Sequence, residues 1–228
     1  TRIAFLNYQA SALGQISHAN DNAMIKLSEI TTDDFEHLDD YDMIIVNGMG
    51  LRIDENQRKL LEEASYKVPT LTHAATNPAN NIVSVDNFDA DYLMQYIENG
   101  GKKNYHSMLA YIRKFIDGKK FMAPEPERVN ERPDYLLTHF DPKDEMGDEL
   151  GFNSISEYNA FLAKNGLYKE GAPTIMLTGF MGAAPDMEKA FEKKGFMVYR
   201  INKLQNFIAG HHADSIQANA VVNMAHGR

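Results

Sequence analysis

The chain has 228 residues, of which 43% are hydrophobic and 24% are charged, a composition that is typical of globular proteins and excludes disordered and fibrous ones. Its formal net charge of −9 and its short basic runs argue against a nucleic-acid partner, because phosphate contacts need clustered lysine and arginine. There is no cysteine, which excludes disulfides, thiolate metal sites and cysteine nucleophiles, and no apolar run approaches the roughly 18 residues of a membrane-spanning helix.

In the first part of the chain, predicted strands alternate with helices, an arrangement typical of parallel, doubly wound α/β sheets of the Rossmann-like or flavodoxin-like kind. Apolar and β-branched runs predict strands at residues 2–6, 24–30, 41–46 and 68–73. The run at 41–46 is continuously apolar, which indicates a strand covered on both faces. Residues 7–22 are predicted as a polar loop, and a short helix capped by Thr31 or Thr32 is predicted to reach Leu38.

Three longer helices follow in the pattern. A capping box of Asp54 and Gln57 predicts a helix that ends near Tyr66. The residues expected to be buried on this helix are Leu60, Leu61 and Ala64. Helices are also predicted at 88–98 and 104–118, and the apolar periodicity of the latter indicates that it packs on an apolar surface.

A shift to proline, glutamate and arginine at residues 122–133 predicts an extended connector, because proline cannot continue a helix. The predicted organisation is therefore a first α/β domain at residues 1–121, with the helical pair at its carboxyl end. After the connector, a second α/β domain is predicted at residues 134–228.

The second domain shows the same alternation with fewer strands. Its predicted strands lie at residues 173–178, 196–201 and 220–223, with a further candidate at 134–139, and its helices at 154–164 and 185–194. Three alternating strands would leave apolar faces uncovered, so we expect the sheet to be truncated and the native protein to continue past Arg228; a compact, complete domain is the alternative. The start at Thr1 instead of Met indicates that something upstream was removed or left out, and a signal or an anchor is one candidate for it.

Candidate binding residues follow from the rule that doubly wound sheets bind ligands at the carboxyl ends of their strands. The predicted set is Asn7, Tyr8, Gln9, Asn47, Gly48, Met49, Gly50, Arg52, His73, Asn77, Asn80, Asn81, Thr178, Asn223, His226 and Arg228. It is rich in amides, which suit carboxylates, amides or the polar edge of a macrocycle, and it offers no acid and base pair for hydrolysis. Alternatively, Asn and Gly at these places only form turns.

Nucleotide and metal motifs are weak. Gly48 and Gly50 lack the third glycine of a dinucleotide fingerprint, since Ile53 stands in its place, and no Gly-Lys-Ser/Thr run occurs. None of the eight histidines has metal-ligand spacing, and only His73 and His226 fall at strand ends, where they are either ligands or structural histidines. The methionines at strand ends, which are Met49, Met181 and Met224, are interpreted as core filler.

Five segments together resemble a known family. They are residues 3–9 (IAFLNYQ), 47–52 (NGMGLR), 75–81 (ATNPANN), 158–168 (YNAFL to GLY) and 223–228 (NMAHGR). These are similar to the amino-terminal region of CobN-type chelatase large subunits, the family of the large subunit of aerobic cobaltochelatase and the porphyrin-binding subunit of magnesium chelatase. Members are several times longer than this chain.

The resemblance implies a protein that holds a tetrapyrrole, whether porphyrin, haem or corrinoid, while cobalt or magnesium is inserted or iron is removed. It also implies that ATP is used only through separate ATPase subunits, and that most metal-centre residues lie downstream of Arg228 in the remainder of the same chain. His73 and His226 are then weak candidates for axial ligands. The Asn-Pro-Ala-Asn-Asn run resembles a haem-utilisation branch, which implies the periplasmic side of the inner membrane.

Two other functions remain open from the sequence. Two α/β lobes joined by a connector are typical of a periplasmic-type module that closes on a small ligand. A scaffold or docking domain is the other alternative, with the apolar helix at 104–118 serving the rest of the chain.

Overall fold

A computed structural model describes residues 1–119, 122–128, 134–179 and 185–225. The chain divides into two compact units, residues 1–131 and 132–228, and each contains its own β-sheet. Strands and helices alternate in both units, which confirms the α/β fold class.

The sheet of the first unit has four parallel strands. They are β1 (Arg2–Leu6), β2 (Lys26–Ile30), β3 (Met43–Asn47) and β4 (Thr70–His73), in the spatial order β2-β1-β3-β4. The chain moves to one side of β1 for the second strand and to the other side for the third and fourth. Right-handed crossovers therefore place helices on both faces, as doubly wound sheets require.

Among the described residues of the first unit there are four α-helices, two 3₁₀ helices and a π-helical turn. They are α1 (Ala10–Ala19), α2 (Glu55–Ser65), α3 (Asn87–Asn99), α4 (Gly101–Tyr111), the 3₁₀ segments Thr32–Asp40 and Pro78–Asn80, and the π turn Ile112–Ile116. The predicted loop at 7–22 is thus wrong, because α1 occupies most of it. Only Ile16 and Ala19 of α1 are fully buried, so its apolar stripe is too short to stand out in a polar sequence.

The core of the first unit lies on both faces of its sheet. Helices α1, α3 and α4 cover the face of Met43 and Ile45, while α2 and the first 3₁₀ segment cover the face of Ile44 and Val46. This confirms that β3 is covered on both sides. Leu60 was predicted to be buried but is 38% exposed, since it lies at the border of the α2 stripe.

The predicted helix at 104–118 begins earlier and changes character before its end. It starts at Gly101, and after Tyr111 it becomes the π turn. The described part of the predicted connector has no helix or strand, and it packs on the first unit. There Glu127 N–H donates to Asn104 Oδ1 at 2.8 Å, and Tyr96 Oη donates to the carbonyl of Pro124.

Within the described residues of the second unit, the sheet has five strands. They are β5 (Leu137–His139), β6 (Leu150–Phe152), β7 (Thr174–Thr178), β8 (Met197–Ile201) and β9 (Ala220–Asn223), in the order β6-β5-β8-β7-β9. The expectation of a three-stranded parallel sheet is wrong, because β5 pairs antiparallel with both β6 and β8. The argument for a truncated sheet that rested on three strands therefore does not apply.

Four helices complete the described second unit. They are α5 (Ile155–Lys164), α6 (Pro185–Lys193), α7 (Leu204–Ala209) and α8 (Ala213–Ile216). Tyr158 and Leu162 of α5 pack on one face of the sheet, and Met187 and Phe191 of α6 pack on the other. No helix in the described ranges is long and apolar enough to cross a bilayer.

Candidate functional site

The first candidate site is the carboxyl edge of the first sheet. The strand order reverses between β1 and β3, since β2 is added on one side of β1 and β3 and β4 on the other, and such a switch point is where doubly wound sheets hold their ligands. Asn7 and Tyr8 follow β1, while Asn47 and the turn after it follow β3. The structure therefore brings these predicted residues together, with His73 at the end of the neighbouring strand β4.

The Asn7 side chain closes the switch point itself. Its Nδ2 donates to the carbonyl of Asn47 at 2.8 Å and to that of Met49 at 3.0 Å. Asn7 adopts a φ of 59°, a left-handed conformation that asparagine tolerates better than most residues. Asn47 Oδ1 in turn accepts from Met49 N–H at 3.1 Å. Both amides are thus engaged in holding the loop.

Gly48 packs directly against the loop that follows β4. Its N–H donates to the carbonyl of His73 at 2.7 Å, and Thr76 Oγ1 accepts from Gly50 N–H at 3.1 Å. A Cβ at Gly48 would lie 2.6 Å from Ala75 Cα, which is too close for any side chain. Glycine is required here for contact between two backbones.

Replacement of Gly48 by alanine is expected to destabilise the first unit by about 1–3 kcal/mol, because the two loops must separate. Gly14→Ala in α1 is the matched control, since nothing lies within 4 Å of its added Cβ. That control is expected to stabilise the unit by about 0.5–1 kcal/mol through helix propensity. Urea unfolding of both variants measures the difference; equal stabilities would contradict the close contact.

The remaining asparagines after β4 also build the loop. Asn80 is buried, its Nδ2 donates to the carbonyl of Leu51 at 3.3 Å, and its Oδ1 accepts from Arg58 Nε at 3.0 Å. Asn77 Oδ1 accepts from Ala79 N–H at 3.1 Å and caps the 3₁₀ segment. Asn81 is exposed. The hydrogen bonds of the Asn77 and Asn80 side chains are thus explained by their role in shaping this loop.

Tyr8 and His73 form a second feature of this edge. Tyr8 Oη lies 2.7 Å from His73 Nε2, and the two rings meet edge to face. Burial lowers the pKa of His73 and raises the pKa of Tyr8, so both are neutral at pH 7. Either Tyr8 donates to Nε2, or Nε2–H donates to Tyr8 and leaves a lone pair on Nδ1. Neutral imidazole is the form that binds transition metals.

Several other predicted residues at the strand ends are exposed to solvent. Met49 is 64% exposed, so its interpretation as core filler is wrong, and Met224 in the second unit is 45% exposed. Gln9 and Arg52 are also exposed. The first-unit edge therefore presents a thioether, an amide and a cation to solvent, together with a half-buried tyrosine and histidine pair.

The strand ends of the second unit are more closed. Thr178 is buried and its carbonyl accepts from Met224 N–H at 2.9 Å. Asn223 Oδ1 accepts from Ala225 N–H at 3.0 Å, which forms a local turn. The predicted His226 and Arg228, and also Met181, lie outside the described residues.

A cavity of about 470 Å³ lies elsewhere in the first unit, between the end of α1, the start of α4 and residues 124–127. Its lining includes His18, Asp21 and His106, and it contains none of the predicted strand-end residues. His106 Nδ1 lies 3.5 Å from Asp21 Oδ1 and 3.3 Å from the carbonyl of Ala19. The His106 imidazole therefore contacts other groups that line the same cavity.

Five side chains of the second unit form a buried charge cluster that the sequence did not reveal. They are His139 at the end of β5, Glu149 before β6, Glu188 and Glu192 on α6, and Arg200 on β8. The side chains of His139 and Glu188 are fully buried, those of Arg200 and Glu192 are 5% and 6% exposed, and that of Glu149, at the border of the cluster, is 25% exposed. Two glutamates four residues apart on the packed side of a helix are the signal that could have identified it.

The contacts of this cluster are specific. His139 Nδ1 donates to the carbonyl of Phe140 at 2.7 Å, and Nε2 lies 2.5 Å from Glu192 Oε1. Arg200 Nη1 pairs with Glu149 and lies 3.5 Å from Glu188 Oε1. The other oxygen of Glu188 accepts from Phe140 N–H at 3.2 Å.

Burial dominates the electrostatics of the cluster. It raises the pKa of Glu188 to about 7, although His139 and Arg200 act in the opposite direction. Burial also acts to lower the pKa of His139, but the hydrogen bonds to Glu192 and to the Phe140 carbonyl outweigh it and raise that pKa. No set of three or more His, Asp or Glu side chains in the described ranges is arranged to hold a metal ion.

Comparison with known proteins gives a similarity to solved structures. No family model and no curated protein sequence matches the chain. Among solved structures, the chain is similar to the catalytic subunit of cobaltochelatase from Mycobacterium tuberculosis, with a TM-score of 0.50 and 13% sequence identity. The match covers 87% of this chain and 16% of that subunit. It shows a shared fold, in agreement with the expected CobN-type resemblance at the level of the fold alone.

Proposed function

We propose that the chain is the tetrapyrrole-binding head of a chelatase of the CobN type. The observation that carries the proposal is the fold shared with the cobaltochelatase catalytic subunit over 87% of the chain. The substrate would be a porphyrin, haem or corrinoid, and the metal that is inserted or removed would be cobalt, magnesium or iron. The macrocycle would bind at the carboxyl edge of the first sheet.

The chemistry of this edge supports the choice of ligand. His73 is held as a neutral imidazole, and its Nδ1 becomes a metal ligand when Nε2–H donates to Tyr8. In that arrangement Tyr8 is the partner that fixes the tautomer, a common role for groups behind ligating histidines. The exposed Arg52 guanidinium suits the carboxylates at the rim of a macrocycle.

ATP enters this proposal only through partner subunits. No Gly-Lys-Ser/Thr run occurs in the chain, and the Gly48-Met49-Gly50 turn is packed against Ala75 and not open to a phosphate. ATPase subunits and the remainder of a longer chain are therefore the proposed partners.

The proposal is tested by titrating ferric haem into the 228-residue chain and following the Soret band. Saturable binding is expected, and His73→Ala is expected to weaken it about tenfold or more, because the axial bond is lost. Tyr8→Phe is expected to weaken it less, since the imidazole remains but its tautomer is no longer fixed. The matched control is His37→Ala, which removes an exposed histidine of the same unit.

Metal-free porphyrin separates axial ligation from general affinity for the macrocycle. Its binding is expected to be nearly the same in the chain and in the His73→Ala variant, because it offers no metal to bind. Absence of a saturable Soret change in the unsubstituted chain would refute ligand binding by this chain. An equal loss in the His37→Ala variant would show surface binding instead.

A docking domain is the second candidate function. It is favoured by the side chains of Asn7, Asn47 and Asn80, which are bonded within their own loops. If no tetrapyrrole binds and the full-length protein keeps its activity with His73→Ala, this candidate replaces the first.

A further inference from the structure

The buried charge cluster is not balanced in charge. Glu149, Glu188 and Glu192 can carry three negative charges, while Arg200 is its single permanent cation. A buried cluster with excess negative charge is costly, because burial removes the water that stabilises carboxylates. His139 supplies a second positive charge only when it binds a proton. Two bound protons, one on His139 and one on a carboxylate, make the cluster neutral.

The geometry places one of these protons directly. His139 Nδ1 faces the carbonyl of Phe140, so it must carry a hydrogen. Nε2 and Glu192 Oε1 lie 2.5 Å apart, a distance at which two acceptors require a proton between them. The pair is therefore protonated in this structure, whichever atom holds the hydrogen.

The segment that these protons hold in place is residues 140–149, between β5 and β6. Phe140 contacts Glu188 and His139 through its backbone, and Glu149 pairs with Arg200. Glu145 pairs with Lys189 of α6, whose Nζ also lies 5.6 Å from the Phe140 ring centre. Short turns within the segment add local contacts, such as Gly147 N–H to the Asp144 carbonyl at 2.8 Å. Contacts to the charged side chains of Glu188 and Lys189 thus attach the segment to α6.

Each element packed around Glu188 contributes a titratable or charged group. β5 contributes His139, β8 contributes Arg200, the end of the segment contributes Glu149, and α6 itself contributes Glu192. Tyr158 of α5 also lies close, but its hydroxyl donates to the carbonyl of Val198 at 2.7 Å and burial keeps it neutral. The groups of this cluster whose pKa values are shifted are therefore His139 and Glu188.

We propose that the buried charge cluster is a proton-operated latch that holds residues 140–149 on α6 while its protons are bound and releases this segment when they leave. In the closed state the cluster is neutral and Phe140 is docked. In the deprotonated state two excess negative charges face each other in the interior, and opening of the segment hydrates them. The device is independent of the proposed tetrapyrrole site.

The direction of the pH effect follows from linkage. Burial holds the pKa of Glu188 near 7 in the closed segment, and it returns toward its ordinary value of 4.5 when the segment opens. Through Glu188 alone, the equilibrium constant for opening is therefore expected to rise about tenfold per pH unit between pH 5 and 7 and to level off above. His139, whose pKa is raised from 6.5, extends the rise to higher pH.

Hydrogen exchange of the 228-residue chain between pH 5 and 8 tests the latch, after correction for the intrinsic pH dependence of exchange. The reporters are the amides of residues 140–149, with Phe140 as the most direct one. Glu188→Gln mimics the protonated carboxyl and is expected to abolish the rise between pH 5 and 6.5. Asp186→Asn is the matched control on the same helix, where the carboxylate is exposed, and it is expected to keep the full rise.

Amides of β7 and β8 distinguish local opening from global unfolding. They are expected to stay more protected than residues 140–149 at every pH. A corrected exchange rate of residues 140–149 that does not change with pH would overturn the latch. So would the same rise in the Glu188→Gln variant, or equal exchange of this segment and of β7. The wild-type comparison suffices on its own if a variant fails to fold.

Discussion

Substitution of Arg200 by methionine is expected to lower the free energy of unfolding of the second unit by about 3–5 kcal/mol at pH 8. Arg200 is 5% exposed and pairs with Glu149, while its Nη1 lies 3.5 Å from Glu188. Methionine fills a similar volume but leaves two carboxylates without their cation. At pH 5 the loss is expected to be smaller, because Glu188 then binds a proton.

Urea titration with methyl signals from each unit measures this effect. Leu177 and Val198 report on the second unit, and Ile44 and Val46 report on the first as an internal reference. Lys189→Met is the control for loss of a cation, since Lys189 and Glu145 are 31% and 51% exposed and such pairs contribute under about 1 kcal/mol. A loss below about 1 kcal/mol for Arg200→Met, or an equal loss in the first unit, would contradict the structure of the cluster.

The second large effect is the pH dependence of stability in the second unit. Glu188 is fully buried and its pKa is raised from 4.5 to about 7, so the folded state binds its proton more tightly than the unfolded state. Its stabilising contribution is complete below pH 4.5 and is lost as pH rises to about 7. This shift corresponds to about 3 kcal/mol. His139, with its pKa raised above 6.5, adds a further loss at higher pH.

Unfolding free energies of the second unit at pH 5, 6, 7 and 8 measure this dependence. The Glu188→Gln variant is expected to show a flat profile between pH 5 and 6.5. The first unit gives a contrast, because hydrogen bonds from Thr31 lower the pKa of Asp34 and so remove stability at acid pH. Stability of the second unit that rises from pH 5 to 7 would disprove a buried protonated Glu188.

Much of the fold was predictable because local patterns had unambiguous causes. The continuous apolar run of β3 could only be a strand covered on both sides, and the box of Asp54 and Gln57 marks the start of α2. Ser154 likewise caps α5, since its Oγ accepts from Glu157 N–H at 3.1 Å. Helix α1 was missed because Ile16 and Ala19 are too few apolar positions to define a period.

The second sheet was harder to predict because strand direction is absent from local patterns. β5 has three residues, and its antiparallel pairing with β8 joins Leu137 to Ile201, which no short window of sequence contains. β6 is equally short and includes a glycine at its centre. A pattern of alternation therefore predicts parallel pairing by default, as it did here.

The candidate site was predictable in position but not in its contacts. The strand-end rule located Asn7, Asn47 and His73 correctly at one edge of the first sheet. The hydrogen-bond partners of the asparagine side chains could not be predicted, because they depend on how the loops pack. The bond from Asn7 Nδ2 to the carbonyl of Asn47 is an example. The buried charge cluster depends on tertiary packing even more, since Glu188 and Glu192 look like solvent-facing residues until Arg200 and His139 are brought to them.

The strand order of the two sheets has a consequence for synthesis on the ribosome. Every strand of the first sheet has emerged by His73, so its sheet can form early. In the second unit, the β5 and β6 hairpin emerges first and its β5 edge stays unpaired until β8 appears. An unpaired edge invites wrong pairing with other strands. We therefore expect nascent chains that stop between β6 and β8 to be the forms that most need chaperone protection.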